Sequence, residues 1–282
     1  MPIPEWPTTA RHFNKKTELT VLLLDDNEIH LWTVELERYT NVDSQKICAA
    51  MLSEDEWIRS QRFSFEQHRQ RFITTRGVIR SILSRYCKEF NPIDWRFGFG
   101  SQGKPNIEFP KLARLLYFNI SHSKNRIAAA VSRHPGIGVD IEFVSPKREF
   151  VKIAQRYFST PEVEAMLCLT TARQLSRFYD LWTLKESYLK ARGSGLIIPL
   201  RQFSFSFTQN EKVDITFDNE LNEKPDDWNF WQFDDGEKYR LALALKPNEH
   251  QDNYKIIATE LLSLNEDSSS GILLKRCTKA GQ

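Results

Sequence analysis

Two helix-start signals stand 106 residues apart, and that spacing restricts this chain more than any single motif does. Ser53-Glu-Asp-Glu56 and Ser159-Thr-Pro-Glu162 are both capping boxes, in which a serine and a glutamate three positions on satisfy each other's orphan amides. The same offset carries Arg71-Phe72 onto Arg177-Phe178, inside a long helix-forming stretch in each case. It also carries the strand-like Leu31–Glu35 onto Ile137–Ile141. Three coincidences at one spacing point to a duplicated α+β unit, two similar halves packed face to face with a ligand groove between them. Chance is the competing reading, because the matched identities are few.

A chain of 282 residues can bury two such cores. Residues 1–17 are Pro-rich and polar, and are expected to form a loosely ordered leader. An N-terminal half over 18–133 follows, then a C-terminal half over 134–248 and a polar C-terminal extension over 249–282. Leu19–Leu24 and Ile29–Leu36 read as strands around an Asp25-Asp26-Asn27 turn. A helix is predicted over Glu66–Phe90, ended by Asn91-Pro92, and a second over Ala172–Arg192, stopped by Gly193. Between and after them, Trp95–Phe99, Tyr117–Ile120, Ile127–Val131, Ile137–Phe143, Phe203–Phe207 and Tyr239–Leu245 read as strands. Asn265–Gly271 reads as a loose tail.

Several function classes fall away early. Thirty-nine basic against thirty-seven acidic residues leave a net charge of +2, so no nucleic-acid or membrane-surface field is implied. No apolar run approaches the ~20 residues of a bilayer span, and the N-terminus lacks the layout of a secretory signal. A soluble, cytoplasmic chain is expected. Cys48, Cys87, Cys168 and Cys277 lie far apart with no Cys-x-x-Cys pair, which argues for reduced thiols over a zinc site. Neither a P-loop nor a Gly-x-Gly-x-x-Gly element is present.

Three constellations carry chemistry. In Gly136-Ile-Gly-Val-Asp-Ile-Glu142 the alternation of a strand sends Asp140 and Glu142 one way and Val139 and Ile141 the other. Two carboxylates on one face ask for a cation such as Mg²⁺, unless they are simply a solvated strand end. In Trp182-Thr-Leu-Lys-Glu-Ser-Tyr-Leu-Lys190, helical spacing puts Trp182, Lys185, Glu186 and Lys190 on one face. A surface Glu–Lys pair beside a core tryptophan is the plainer alternative. In Phe118-Asn-Ile-Ser-His-Ser123, Ser121, His122 and Ser123 could donate to an anion, or His122 could be a satisfied structural residue. Lys104, in the Gly103-Lys-Pro105 turn, could reach a phosphate or be solvated. Arg59, Arg62, Arg69, Arg71, Arg76, Arg80 and Arg85 crowd the first half at a density that suits a polyphosphate, though some must be ordinary surface arginines.

Taken in order, Gly-Lys-Pro, Phe-Asn-Ile-Ser-His-Ser, Gly-Val-Asp-Ile-Glu and Trp-x-x-Lys-Glu-x-x-x-Lys resemble the 4′-phosphopantetheinyl transferases of the large, two-halved, surfactin-synthetase-activating type. The resemblance covers roughly residues 50–210. It implies an α+β pseudo-dimer, each half a small, mainly antiparallel sheet packed on a long helix, with the active site between the halves. It further implies coenzyme A as co-substrate, with Mg²⁺ on its pyrophosphate held in the C-terminal half by Asp140, Glu142 and Glu186. Lys190 would stabilise charge on the breaking diphosphate, His122 and Ser121 would hold phosphate oxygens, and Lys104, Arg59 and Arg62 would contact the nucleotide end. The serine of an apo acyl or peptidyl carrier protein would attack the β-phosphate, releasing 3′,5′-ADP. Glu186 could be the base, a metal ligand or both. The carrier would dock at Gly193–Leu200, with Leu196 and Ile197 as anchors, on an enzyme of secondary metabolism acting as a monomer. Glu56 departs from the pattern, since relatives often place basic residues on that helix; the leader and the tail beyond 248 have no counterpart. A two-carboxylate nuclease and a coenzyme A-binding module without turnover are the alternatives, distinguished by their products.

Overall fold

A computed structural model describes residues 21–100, 102–111, 116–146, 149–193, 198–208, 212–248 and 253–278. The expected leader and the docking anchors Leu196 and Ile197 lie outside them. The chain is α+β. Strand β1 (Glu28–Glu35) leads into helices α1 (Val42–Ala50), α2 (Glu54–Ser60) and α3 (Glu66–Ser84). A hairpin of β2 (Arg96–Phe99) and β3 (Pro105–Phe109) follows, then β4 (Tyr117–Ser123) and β5 (Arg126–Ser132). The next stretch has the same order of elements: β6 (Gly136–Phe143), then α4 (Phe150–Tyr157), α5 (Thr160–Leu167) and α6 (Thr171–Arg192). After α6 come the hairpin β7 (Phe203–Phe207) and β8 (Val213–Phe217), then β9 (Asn229–Asp235) and β10 (Tyr239–Lys246). The chain closes with β11 (Lys255–Ser263), β12 (Glu266–Ser269) and β13 (Leu273–Cys277).

A five-stranded sheet runs β12-β11-β1-β5-β4 and a four-stranded sheet runs β13-β9-β10-β6, antiparallel throughout except for the β1–β11 pair. Strand alternation sorts the core into three apolar seams. Trp32, Val34, Ala129 and Val131 meet Val78 and Ile82 of α3 on one side of the first sheet. Ile29 and Leu31 on its other side meet Ile137, Val139, Ile141 and Leu243 of the second sheet. Ala242 and Ala244 then meet Phe178, Leu184 and Tyr188 of α6. Helices, sheet, sheet and helices therefore stack in layers, with α6 outermost on the acidic face of β6.

Both capping boxes form, and both glutamates reach further. Glu56 receives the Ser53 amide and, at 2.8 Å, the Arg80 guanidinium, which also donates to the Pro92 and Trp95 carbonyls. Glu162 receives the Ser159 amide and, at 2.8 Å, the Lys185 ammonium, which also donates to the Leu200 and Phe203 carbonyls. Arg80, expected among the ligand-facing arginines, is instead a buried structural cation, and so is Arg85, which pairs with Asp267.

Three expectations need correction. The first long helix stops at Ser84, because the Arg85 and Tyr86 amides bond back three residues to Ile82 and Leu83 and tighten the last turn. Residues 21–24 form no strand, and the Leu22 amide is tied to the Arg85 carbonyl. The stretch expected to be a loose tail contains β12, and the polar C-terminal segment supplies edge strands to both sheets.

Candidate functional site

The polar face of β4 lies against β6, the edge strand of the second sheet. Asn119, Ser121 and Ser123 alternate along β4 and face β6, whose edge no strand among the described residues covers. The Asn119 side-chain oxygen accepts from the Val139 amide at 2.9 Å, and the Ser123 hydroxyl accepts from the Phe143 amide at 3.0 Å. Ser121 donates to Asp140 Oδ1 and Ser123 to Glu142 Oε2, both at 2.9 Å. The two serines thus orient the carboxylates.

Helix α6 reaches this edge because Gly138 leaves room for it. A Cβ there would stand 2.2 Å from the Ser187 carbonyl oxygen, inside any permitted contact. The close approach lets Lys190 Nζ donate to Asp140 Oδ1 at 2.6 Å and to Ser121 Oγ at 2.8 Å. Residues from three of the four motifs therefore share one contact network. Asp140 is 4% exposed, and its second oxygen, Oδ2, is buried with no hydrogen-bond partner. An orphaned carboxylate oxygen in that setting fits a hard cation, as does a neighbouring acid on the same face. Among the described residues, however, no three acidic, His or Cys side chains are gathered closely enough to hold an ion. Asp140, Glu142 and Glu186 are not assembled as a three-carboxylate cage; the Lys190 ammonium lies against Asp140 instead.

A pocket of about 230 Å³ opens beside this network, lined by Lys104, Asn119, Ile120, Glu186, Leu189 and Lys190. Lys104 lies along one wall and spends its three N–H bonds on the Pro135, Ile137 and Ala191 carbonyls, at 2.9–3.0 Å. It thereby ties the Gly103 turn to the start of β6 and the end of α6. Burial draws its pKa down to about 8. His122 is exposed at the end of β4, and its pKa is held below the usual imidazole value, first by partial enclosure of the ring and then by the positive Arg71 and Lys190. Arg59 and Arg62 are exposed at the end of α2, Arg59 over the Phe72 ring.

The shared helix face expected for Trp182, Lys185, Glu186 and Lys190 is split. Glu186 and Lys190 face the pocket. Trp182 packs on Phe158 and Phe178, and Lys185 is fully buried with Glu162. A 100° step between consecutive helical residues is enough to send Lys185 into the core and Glu186 out of it. Asn119 is the residue that sequence reasoning passed over, although the period-two run Asn119, Ser121, Ser123 carried the signal.

The chain is similar to proteins of known family. Residues 136–244 match the family model of the 4′-phosphopantetheinyl transferase superfamily. The chain is 37% identical over 202 residues to the 4′-phosphopantetheinyl transferase HetI of Nostoc sp., covering 71% of this chain and 82% of that one. It is 30% identical over 233 residues to the 4′-phosphopantetheinyl transferase Sfp of Bacillus subtilis, covering 82% of this chain and 99% of that one. With a relative matched along nearly its whole length and the four motifs in place, this chain belongs to the 4′-phosphopantetheinyl transferases.

Proposed function

We propose that this enzyme moves the 4′-phosphopantetheine group of coenzyme A onto a serine of an apo acyl or peptidyl carrier protein, releasing 3′,5′-ADP, at the edge where β4, β6 and α6 meet. The observation that carries this reading is Lys190 set between Asp140 and Ser121 beside a pocket that Glu186 lines. In the reaction the serine Oγ bonds to the β-phosphorus while the bond from that phosphorus to the bridging oxygen breaks, and the electron pair leaves with the nucleotide. Glu186 takes the serine proton, directly or through a water. Lys190 donates to the diphosphate oxygens as charge collects on them, and His122 with Ser121 hold the neighbouring phosphate oxygens. Mg²⁺, when bound, supplies neutralisation of the diphosphate, and Asp140 and Glu142, with Glu186 from α6, would hold it. One or two carboxylates plus phosphate oxygens suffice for that ion, so Asp140 and Glu142 could hold it on the diphosphate with Glu186 joining from α6. Lys104 fixes the pocket wall, and Arg59 and Arg62 present positive charge to the nucleotide end.

Residues 18–133 and 134–248 are read as two copies of one unit, with the pocket between them and 249–282 as the extension. The offset of 106 supports this by carrying α2 onto α5 and α3 onto α6. The matching orders β1-β5-β4 and β6-β10-β9, and the Glu56–Arg80 and Glu162–Lys185 hubs, support it too. One chain then supplies the whole groove, so the enzyme acts as a monomer. Its free cysteines suit the cytoplasm, and no helix among the described residues is long and apolar enough to cross a membrane. Incubation with coenzyme A, Mg²⁺ and a panel of apo carriers, followed by mass spectrometry, tests the function. A carrier serine should gain phosphopantetheine with 3′,5′-ADP released; nucleic-acid cleavage, or binding without product, would point to the other readings.

Two outcomes follow from the geometry. Asp140→Ala removes the orphaned oxygen and the partner of Lys190, so the Mg²⁺ concentration for half-maximal rate should rise by about tenfold or more. An unchanged titration would count against Asp140 as a ligand. His122, neutral near pH 7 by virtue of its lowered pKa, should take up a proton when a phosphate settles beside it. Coenzyme A should then bind more tightly as pH falls from 8 to 6. Calorimetry in buffers of different ionisation enthalpy should register the proton, and His122→Gln should erase it. Equal heats in all buffers would remove His122 from the phosphate site.

A further inference from the structure

Asp180 lies in the sheet-facing side of α6, six residues before Glu186 and ten before Lys190. It is 2% exposed, yet it draws in Lys275 at 3.1 Å, Arg276 at 3.0 Å and Arg240 at 3.4 Å. Lys275 and Arg276 belong to β13, the last strand of the chain. Consecutive strand residues ordinarily point to opposite faces, so two neighbours should not reach one carboxylate. A bulge explains it: Leu274 pairs with Phe233 and Arg276 with Gln232, leaving Lys275 as the extra residue. That displacement turns both basic side chains towards α6. Gln232 completes the joint, donating to the Asp180 carbonyl at 3.0 Å and accepting from Arg276 at 2.7 Å. Arg240, the third cation, is the cross-strand partner of Glu142.

Burying this much charge is a poor way to hold an edge strand, since apolar side chains of similar volume do so at lower cost. What charge adds is direction. The cluster fixes α6 along its axis and in rotation, and the pocket residues lie only one to three turns further along. We propose that β13 is an anchor for α6, and that Lys275 and Arg276 are positioning residues that hold Glu186 and Lys190 in register with Asp140 and Ser121 through Asp180. The proposal rests on Glu186 and Lys190 being the reacting groups.

The test is steady-state kinetics of Lys275→Met/Arg276→Met in the full-length enzyme at a temperature where circular dichroism shows it folded. Loss of register should lower kcat by about ten- to a hundredfold. The KM for coenzyme A should rise by less than kcat falls, because the contacts assigned to Ser121, His122, Arg59 and Arg62 on the first half are untouched. Lys275→Arg, which keeps charge and reach, should retain the wild-type kcat. A folded double variant with wild-type kcat, even one that melts earlier, overturns the anchor. If the double variant does not fold, Lys275→Met alone decides in the same way: a reduced kcat supports the anchor and an unchanged one rejects it. Glu186→Gln run alongside separates the two ideas. Full activity in Glu186→Gln would remove the reading of the site itself, whereas an inactive Glu186→Gln with a fully active double variant removes only the anchor.

Discussion

Glu186→Gln should leave a folded protein that transfers phosphopantetheine at least about a hundredfold more slowly, a loss of about 3 kcal/mol of transition-state stabilisation. The fold should survive because Glu186 is half-buried on the pocket side of α6, while Phe178, Leu181, Leu184 and Tyr188 on the other side hold the helix to its core. Glutamine keeps the shape and gives up both the charge and the ability to take a proton. The kinetic pattern tells which loss matters. If Glu186 is chiefly a base, kcat should fall with the Mg²⁺ dependence unchanged. If it also holds the ion, the Mg²⁺ titration should move in the same direction as for Asp140→Ala. A variant that modifies apo carrier at the wild-type rate would show that neither role belongs to Glu186.

Much of this site was legible because its information is local. Alternation in β6 is enough to send Asp140 and Glu142 away from Val139 and Ile141, and the capping boxes at Ser53 and Ser159 mark the starts of α2 and α5. What stayed hidden depends on contacts between distant segments. Helical spacing treats Lys185 and Glu186 as near neighbours, and only the presence of Glu162 on α5 and of carbonyls after α6 decides that Lys185 is core. That Ser121 and Ser123 also reach the Asp140 and Glu142 carboxylates shows only once β6 is laid beside β4. The C-terminal strands were missed for a related reason. Lys255–Ser263 is half-buried along most of its length as it pairs with β1, so its polar and apolar residues never settle into a clean alternation. Lys275 and Arg276 give no hint of a shared target, because the bulge that aims them exists only once β9 is in place.

The largest effect on stability should come from Glu162→Ala, which strands the Lys185 ammonium. Both side chains are almost wholly inaccessible, at 1% and 0% exposure, so neither can turn to water. Glu162 also accepts from the Ser159 amide, the Ser159 hydroxyl and the Phe205 amide, and the variant takes that acceptor from all three. Breaking a buried pair from one side costs about 3–5 kcal/mol, most of it the desolvated charge left behind. That charge gives the prediction a sign. Burial already lowers the Lys185 pKa, and removing Glu162 takes away the partner that opposes the shift. With the folded-state pKa below the unfolded one, the unfolded chain binds more protons across the interval between them, so the variant should gain stability as pH rises through it. A neutral Lys185 can still donate to the Leu200 and Phe203 carbonyls, so the fold it supports need not change. Urea denaturation of both proteins at pH 7 and pH 9.5 should show the gap narrowing at the higher pH. A gap that stays constant, or one under about 1 kcal/mol at pH 7, would mean that Lys185 finds water or another anion when Glu162 is gone.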